Sequence, residues 1–380
     1  MAETLEAFGG AFRGRRVFLT GHTGFKGGWL ALWLAELGAE VHGYALEPPT
    51  TPSLFEDAAV HSVLASHTVG DVRDAARLRR ALADARAEIV IHMAAQPLVR
   101  LSYDAPAETY AVNVMGTVHL LDAVRAAGTV RVCQVVTSDK CYENREWVYG
   151  YRENDPMGGF DPYSSSKGCA ELVVSAYRRS FFPVEALEGG EGVSVSSVRA
   201  GNVIGGGDWA QDRIIPDCVR ALVRGESILV RNPRAVRPWQ HVLEPLAGYL
   251  HLAATQWSRP ALGADGWNFG PAASGSVPVA EIVDALAAEW GGGRWHTPEP
   301  GAAASHEANL LKLDITKAQT LLGWRPVYEV GEAVAETSRW YRARHEAGAG
   351  FDAGSFCRAQ IARYQRRAAE AGSAWAPRAE

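Results

Sequence analysis

The chain has 380 residues, 47% of them hydrophobic and 21% charged, with a net charge of -5 and an isoelectric point near 6.1, which excludes a disordered chain and a basic nucleic-acid-binding surface. Its five cysteines, Cys133, Cys141, Cys169, Cys218 and Cys357, are odd in number and form no Cys-x-x-Cys pair, so neither a disulfide framework nor a metal site is expected. Neither a signal-peptide core nor a run of about 18 apolar residues occurs, and the expectation is a cytoplasmic protein without membrane or nucleic-acid partners.

In the first 200 residues, short apolar runs alternate with longer helical patterns, which predicts strand-helix units wound into a parallel sheet. Strands are predicted over residues 16–20, 40–45, 67–69, 89–93, 131–137 and 193–198. Helices are predicted over 28–37, stopped by Gly38, and over 74–85, 105–127 and 163–181. Arg77, Arg79 and Arg80 read as the solvated face of the second helix. The alternation breaks beyond Gly201 into Gly- and Pro-rich pieces such as Gly205-Gly206-Gly207, Arg237-Pro238 and Gly291-Gly292-Gly293. The fold class expected is therefore α/β: a doubly wound parallel sheet (residues 1–200, with a return helix near 243–255) and a smaller, C-terminal α/β substrate domain (201–350). Residues 351–380 are expected to form a helical extension that frays from Gly372 onward.

Gly21, Gly24 and Gly27 form a Gly-x-x-Gly-x-x-Gly pattern between the first strand and the first helix, with Thr23 and Phe25 inside it. Glycine there permits a tight turn and brings backbone N–H groups close to a pyrophosphate at a helix N-terminus. A dinucleotide site is predicted. The acidic residue that usually ends the second strand, about 20 residues on, is missing; Glu47 is the nearest acid. No Arg or Lys lies between His42 and Asp71, which favours NAD over NADP, although Lys26 within the loop is a competing phosphate partner. Asp71 and Val72 follow the third strand, where a carboxylate either accepts from an adenine amino group or caps the next helix. Ala94 and Ala95 follow the fourth and are small enough for a cofactor to lie against the sheet.

Tyr163 and Lys167 are four residues apart on a predicted helix, so the ammonium lies on the same face as the phenol and can lower its pKa. Ser138 ends the fifth strand and is followed by Asp139 and Lys140. With the glycine loop, Ser138, Tyr163 and Lys167 resemble the extended short-chain dehydrogenase/reductase family, from Arg15 to about Tyr341. Within it, Thr137-Ser138-Asp139-Lys140-Cys141-Tyr142, Ala94-Ala95-Gln96-Pro97-Leu98-Val99, Arg199-Ala200-Gly201-Asn202-Val203 and Arg237-Pro238-Trp239-Gln240-His241-Val242 are similar to the sugar-nucleotide 4,6-dehydratases.

The resemblance implies NAD as cofactor, CDP-glucose as substrate and a homodimer or homotetramer. It implies that Tyr163, Lys167 and Ser138 serve oxidation at C4, and that Asp139 and Lys140 serve loss of water across C5 and C6. Which of those two is acid and which is base stays open, since an aspartate near pKa ~3.9 must be raised and a lysine near ~10.4 lowered. Gln96, Asn202 and Arg237 are the expected substrate contacts; Arg199 lies in the same region, whereas Arg231 and Arg234 read as solvated charges and His241 as a structural histidine. Two other readings stand beside this one. A sugar-nucleotide epimerase or reductase has no use for Asp139 and Lys140, and a silent cofactor-binding regulator has no use for the proton relay.

Overall fold

The computed structural model describes residues 6–298 and 310–377. Val17, Phe18 and Leu19 are buried on both faces, as a central parallel strand requires. They belong to β1 (Arg16–Thr20), which lies between β2 (Glu40–Ala45) and β4 (Ile89–His92). With β3 (Ser66–Val69), β5 (Val132–Val136), β6 (Ser194–Ala200) and β7 (Gly266–Phe269), they form a seven-stranded sheet among the described residues. Its order is β7-β6-β5-β4-β1-β2-β3, with every neighbouring pair parallel. The direction of winding reverses between β1 and β4, and such a switch point opens a crevice at the carboxyl ends of the strands.

The six expected strands form within a residue or two of their expected limits, whereas β7 had no signal. Its run Gly266-Trp267-Asn268-Phe269 places an amide in mid-strand. Asn268 is tolerated there because Tyr142 Oη donates to its Oδ1 at 2.8 Å and its Nδ2 reaches two backbone carbonyls.

Around the sheet lie α1 (Phe25–Glu36), α2 (Ala75–Ala85), α3 (Gly116–Ala127) and α4 (Pro162–Phe181). In α2 the Asp74 side chain caps the helix and Leu78, Leu82 and Ala85 face the core, leaving Arg77, Arg79 and Arg80 in solvent. The single helix expected over 105–127 is instead Pro106–Tyr110, a π-turn at Ala111–Met115, and then α3. The wider turn aims Asn113 inward, where it accepts from Gln96 N–H and donates to Ser166 Oγ on α4.

Past β6 come α5 (Ile214–Arg224), α6 (Leu243–Ser258), α7 (Val279–Trp290), α8 (Val330–Ala347) and α9 (Ala353–Glu370). Helix α6 returns to the sheet as expected: Gln134 Nε2 on β5 donates to Tyr249 O and Gln256 Oε1. The short strand Val203–Ile204 pairs with Gln240–His241, and Val236–Pro238 pairs with Ser276–Pro278, beyond the carboxyl ends of the sheet.

In the tail expected to fray from Gly372, Gly372 and Ala374 are exposed while Trp375 is buried; residues 378–380 lie outside the described residues. Trp375 is 2% exposed, stacks on Phe8 (4.9 Å) and Tyr364 (5.7 Å), and accepts from Phe8 N–H at 2.7 Å. An indole so enclosed stabilises a fold by about 3–5 kcal/mol relative to Ala, which outweighs the entropy that frays a small-residue tail. Among the described residues no helix is long and apolar enough to cross a membrane, and no cluster of His, Cys, Asp and Glu could hold a metal. The five cysteines are unpaired.

Candidate active site

The glycine loop is shaped by chain crossings. Gly21 has φ +77°, and a Cβ there would stand 2.7 Å from Ala94 N, at the end of β4. A Cβ on Gly27 would stand 2.1 Å from the Gly21 carbonyl oxygen, so neither position admits a side chain. Gly24 is different: its nearest neighbour would be 3.4 Å away, and as N-cap of α1 it offers no side chain to the first N–H groups. Those donors are thus left without a side-chain cap, which fits a pyrophosphate. Thr23 Oγ1 donates to Leu46 O at 2.9 Å, tying the loop to the end of β2, and Phe25 is partly buried against Gly205. Thr20 Oγ1 accepts from Ala94 N–H, which holds the Ala94-Ala95 edge against the loop.

Asp71 and Val72 flank the same crevice. The Arg73 guanidinium, 2.6 Å from Asp71 Oδ2, holds the Asp71 carboxyl below the usual range. Val72 is buried against Gly116, and its carbonyl meets His119 Nδ1 at 3.0 Å. The second strand lacks an acid where one was sought, and its Gly43 leaves room for the His22 ring, which is hydrogen-bonded to His67 at 2.7 Å.

Ser138 caps the turn Asp139–Cys141 at the end of β5: its Oγ accepts from Lys140 N–H at 3.2 Å and donates to Asp139 Oδ1 at 3.0 Å. Asp139 is 3% exposed, and its Oδ2 has no hydrogen-bond partner among the described residues. Burial raises its pKa, against the opposing pull of Lys140, Ser138 and Arg237.

Helix α4 starts at Pro162, with the Asp161 carboxylate accepting from Ser164 N–H at 2.9 Å. This fixes Tyr163 at its first turn and Lys167 one turn on. The expected lowering of the Tyr163 pKa by Lys167 is not what the protein alone shows. Burial pushes the phenol up to about 12, with the Ser138 hydrogen bond the largest opposing influence. Lys167, whose Nζ donates to Val136 O at 3.3 Å, is itself lowered to about 8 by burial, against Glu171 and Cys141.

Of the expected substrate residues, Arg237 lies near Asp139 and Asn202 follows Gly201 in the chain. A Cβ on the neighbouring Gly201 would stand 3.1 Å from Asp139 Oδ2, and the Arg237 charge acts on Asp139. Gln96 is engaged within the protein: its Nε2 donates to Thr109 Oγ1 at 2.9 Å and its Oε1 accepts from Leu98 N–H at 2.5 Å. Arg199 is buried, forked onto Glu171. The solvated reading of Arg231 and Arg234 agrees with their exposure, and His241 is buried between Trp29 and Tyr328.

Four further residues join the cluster. Lys26 Nζ donates to Tyr249 Oη at 3.1 Å, and burial, with Arg213 and Lys167 nearby, lowers its pKa to about 7. Arg213, held by Asp208 at 2.9 Å, acts on Tyr163. Glu171 had a signal in the sequence, four residues past Lys167 on the same helix face; Arg213 and Tyr249 had none.

A glycine-loop dinucleotide cradle beside a Ser-Tyr-Lys set, on this strand order, defines an extended short-chain dehydrogenase/reductase. Residues 18–337 match the family model described as GDP-mannose 4,6 dehydratase, and the chain belongs to that family. It is 54% identical over 333 residues to CDP-glucose 4,6-dehydratase of Salmonella typhimurium (strain LT2), covering 87% of this chain and 92% of that one. To dTDP-glucose 4,6-dehydratase of Streptomyces antibioticus it is 29% identical, covering 72% and 75%. Among solved structures it is similar to DesIV, a dTDP-glucose 4,6-dehydratase from Streptomyces venezuelae with NAD and TYD bound: TM-score 0.67, 26% identity, 86% of this chain and 97% of that one.

Proposed function

We propose that the chain is an NAD-dependent CDP-glucose 4,6-dehydratase that converts CDP-glucose to CDP-4-keto-6-deoxyglucose in the cytoplasm. The observation that carries the chemistry is the buried Asp139, partnerless at one oxygen and raised in pKa, beside Ser138 and Tyr163. The CDP-sugar choice is supported by the 54% identical relative. In this reading residues 1–200 with α6 hold the cofactor and residues 201–350 the sugar nucleotide.

The loop from Gly21 to Gly27, Ala94 and Ala95 would cradle NAD, with Asp71 and Val72 toward its adenine end. When bound, NAD takes hydride from C4 and returns it to C6. Tyr163 takes the proton of the C4 hydroxyl, Ser138 hydrogen-bonds the same oxygen, and the Lys167 ammonium favours the phenolate. The C4 ketone so formed acidifies the C5 hydrogen. Lys140 in its neutral form takes the C5 proton and Asp139 in its acid form, which burial favours, donates to the departing C6 hydroxyl; one water leaves. Asn202 and Arg237 hold the nucleotide end, Arg237 by charged hydrogen bonds to phosphate.

Incubating the purified protein with CDP-glucose and NAD should give a product lighter by one water, with no net reduction of cofactor, scored by mass and by the ultraviolet band of a 4-keto sugar in alkali. The UDP, GDP and dTDP sugars run in parallel. Conversion of another of them instead would overturn the cytidine choice, and conversion of none would overturn the dehydratase.

Two copies pair, in the same reading, across the apolar side chains exposed on and near α4, chiefly Leu172 (60% exposed), Phe181 and Met115. Light scattering should give a dimer or tetramer for the wild type and a smaller species for Leu172→Glu. An unchanged mass for the variant would place the interface elsewhere.

A further inference from the structure

Glu171 stands one helical turn beyond Lys167 and two beyond Tyr163 on α4, and is 4% exposed. Its carboxylate accepts from Thr137 Oγ1 at 2.5 Å, Ser197 Oγ at 2.7 Å, Arg199 Nε at 2.9 Å and Arg199 Nη2 at 2.7 Å. Burial works against its charge, yet the Arg199 guanidinium and the hydroxyls outweigh burial and hold the carboxyl below its usual range. From the other side of the pair, Arg199 Nη1 donates to Tyr142 Oη at 2.6 Å and to Glu153 O at 2.9 Å.

The placement of those partners matters. Thr137 immediately precedes Ser138, and Tyr142 immediately follows the turn Asp139–Cys141. Both ends of the segment that carries Ser138, Asp139 and Lys140 therefore hang from one buried ion pair, whose acid belongs to the helix that carries Tyr163 and Lys167. An ion pair serving stability alone is commonly replaceable by apolar residues without loss. This one joins the two groups of side chains that a dehydratase must bring to a single sugar.

Resting on the dehydratase reading, we propose that the Glu171–Arg199 pair is a positioning clamp, which fixes the elimination groups Asp139 and Lys140 in register with Tyr163 and Lys167 so that one bound sugar serves both steps. The clamp also sets the charge around Lys167. Glu171 on the same helix and Cys141 from the turn favour the Lys167 ammonium, while burial disfavours it. Lys26 on α1, lowered mainly by burial and then by Arg213, and His92 on β4, lowered mainly by burial, are each lowered further by this lysine.

The test uses the full chain and three variants. Thr137→Val and Tyr142→Phe keep the ion pair and cut its link to one end of the turn, Tyr142→Phe also leaving Asn268 Oδ1 without its donor; Glu171→Gln removes the charge. Oxidation is followed by stopped-flow absorbance of the reduced cofactor, and elimination by solvent deuterium entering at C5 and by product mass. In the first two variants elimination should slow on the order of 10²-fold, the penalty of misplacing reacting groups by about 1 Å, while oxidation, which draws only Ser138 from this segment, slows less and reduced cofactor builds up. In Glu171→Gln the alkaline limb of the oxidation profile should also move to lower pH, since Lys167 has lost the charge that favours its ammonium. Unaltered elimination in both Thr137→Val and Tyr142→Phe would overturn the clamp alone. So would an equal loss of both steps accompanied by a lowered thermal midpoint, which is the mark of a merely structural pair. A wild type that eliminates water from none of the sugar nucleotides would overturn the dehydratase reading first, and the clamp with it.

Discussion

Tyr163→Phe should lower turnover by roughly 10²- to 10⁴-fold, the usual contribution of a positioned acid or base, while the sugar nucleotide and NAD still bind. The ring of Tyr163 is packed at the start of α4, and Phe preserves that packing; what is lost is the hydroxyl beside Ser138 and near Asp139. Stopped-flow measurement should therefore show the loss in the first oxidation, with an unchanged thermal midpoint. The phenol stands at about 12 in the protein alone because burial outweighs the opposing influence of Ser138. A raised phenol stays protonated at neutral pH, so the base forms only when additional positive charge arrives next to it. Ultraviolet difference titration of the free protein should accordingly show no tyrosinate from this residue near neutrality. A Tyr163→Phe enzyme that oxidises C4 at the wild-type rate would remove Tyr163 from the mechanism.

Lys140→Ala and Asp139→Asn should leave that first oxidation in place and stop the reaction after it. Each is expected to cost roughly 10²- to 10⁴-fold in loss of water, with reduced cofactor accumulating. The two are told apart at C5. Without Lys140 the C5 hydrogen should not exchange with deuterated solvent; without an acid at 139 it should exchange while the C6 oxygen stays attached. The Asp139 acid form is held above its ordinary pKa by burial, so elimination in the wild type should persist to higher pH than a solvent-exposed carboxyl would allow, then fall as the proton is lost. The reverse pattern, exchange surviving in Lys140→Ala and abolished in Asp139→Asn, would exchange the two roles.

Much of the sheet and the glycine loop was legible because each rests on local rules. Gly27 is dictated by the Gly21 carbonyl six residues before it, Gly21 itself turns at positive φ although the chain that crowds it is the distant Ala94, and the run Val17-Phe18-Leu19 announces a strand buried on both faces. The four-residue spacing brought Tyr163 and Lys167 together for the same reason. What was not legible depends on distant partners. Strand β7 needs Tyr142 to satisfy Asn268; the π-turn at Ala111–Met115 exists to deliver Asn113 to Gln96 and Ser166; and the place of Arg199 is decided by Glu171. The rise of the Tyr163 phenol in the protein alone was not legible, because charge spacing along a helix is visible in a sequence and depth of burial is not. Tyr249 and Arg213 reach the site from α6 and from the loop before α5, and no spacing rule links them to Tyr163.

The aromatic stack of Phe8, Trp375 and Tyr364 over Trp33 gives the last helix an unusual place in the order of assembly. Trp33 lies on α1, and although Phe8 covers it from earlier in the chain, Tyr364 and Trp375 are synthesised more than three hundred positions later. On a ribosome the sheet strands β1 to β6 emerge long before residues 353–377 do. The nascent chain therefore carries an α1 indole that lacks part of its aromatic cover until Tyr364 and Trp375 have been made.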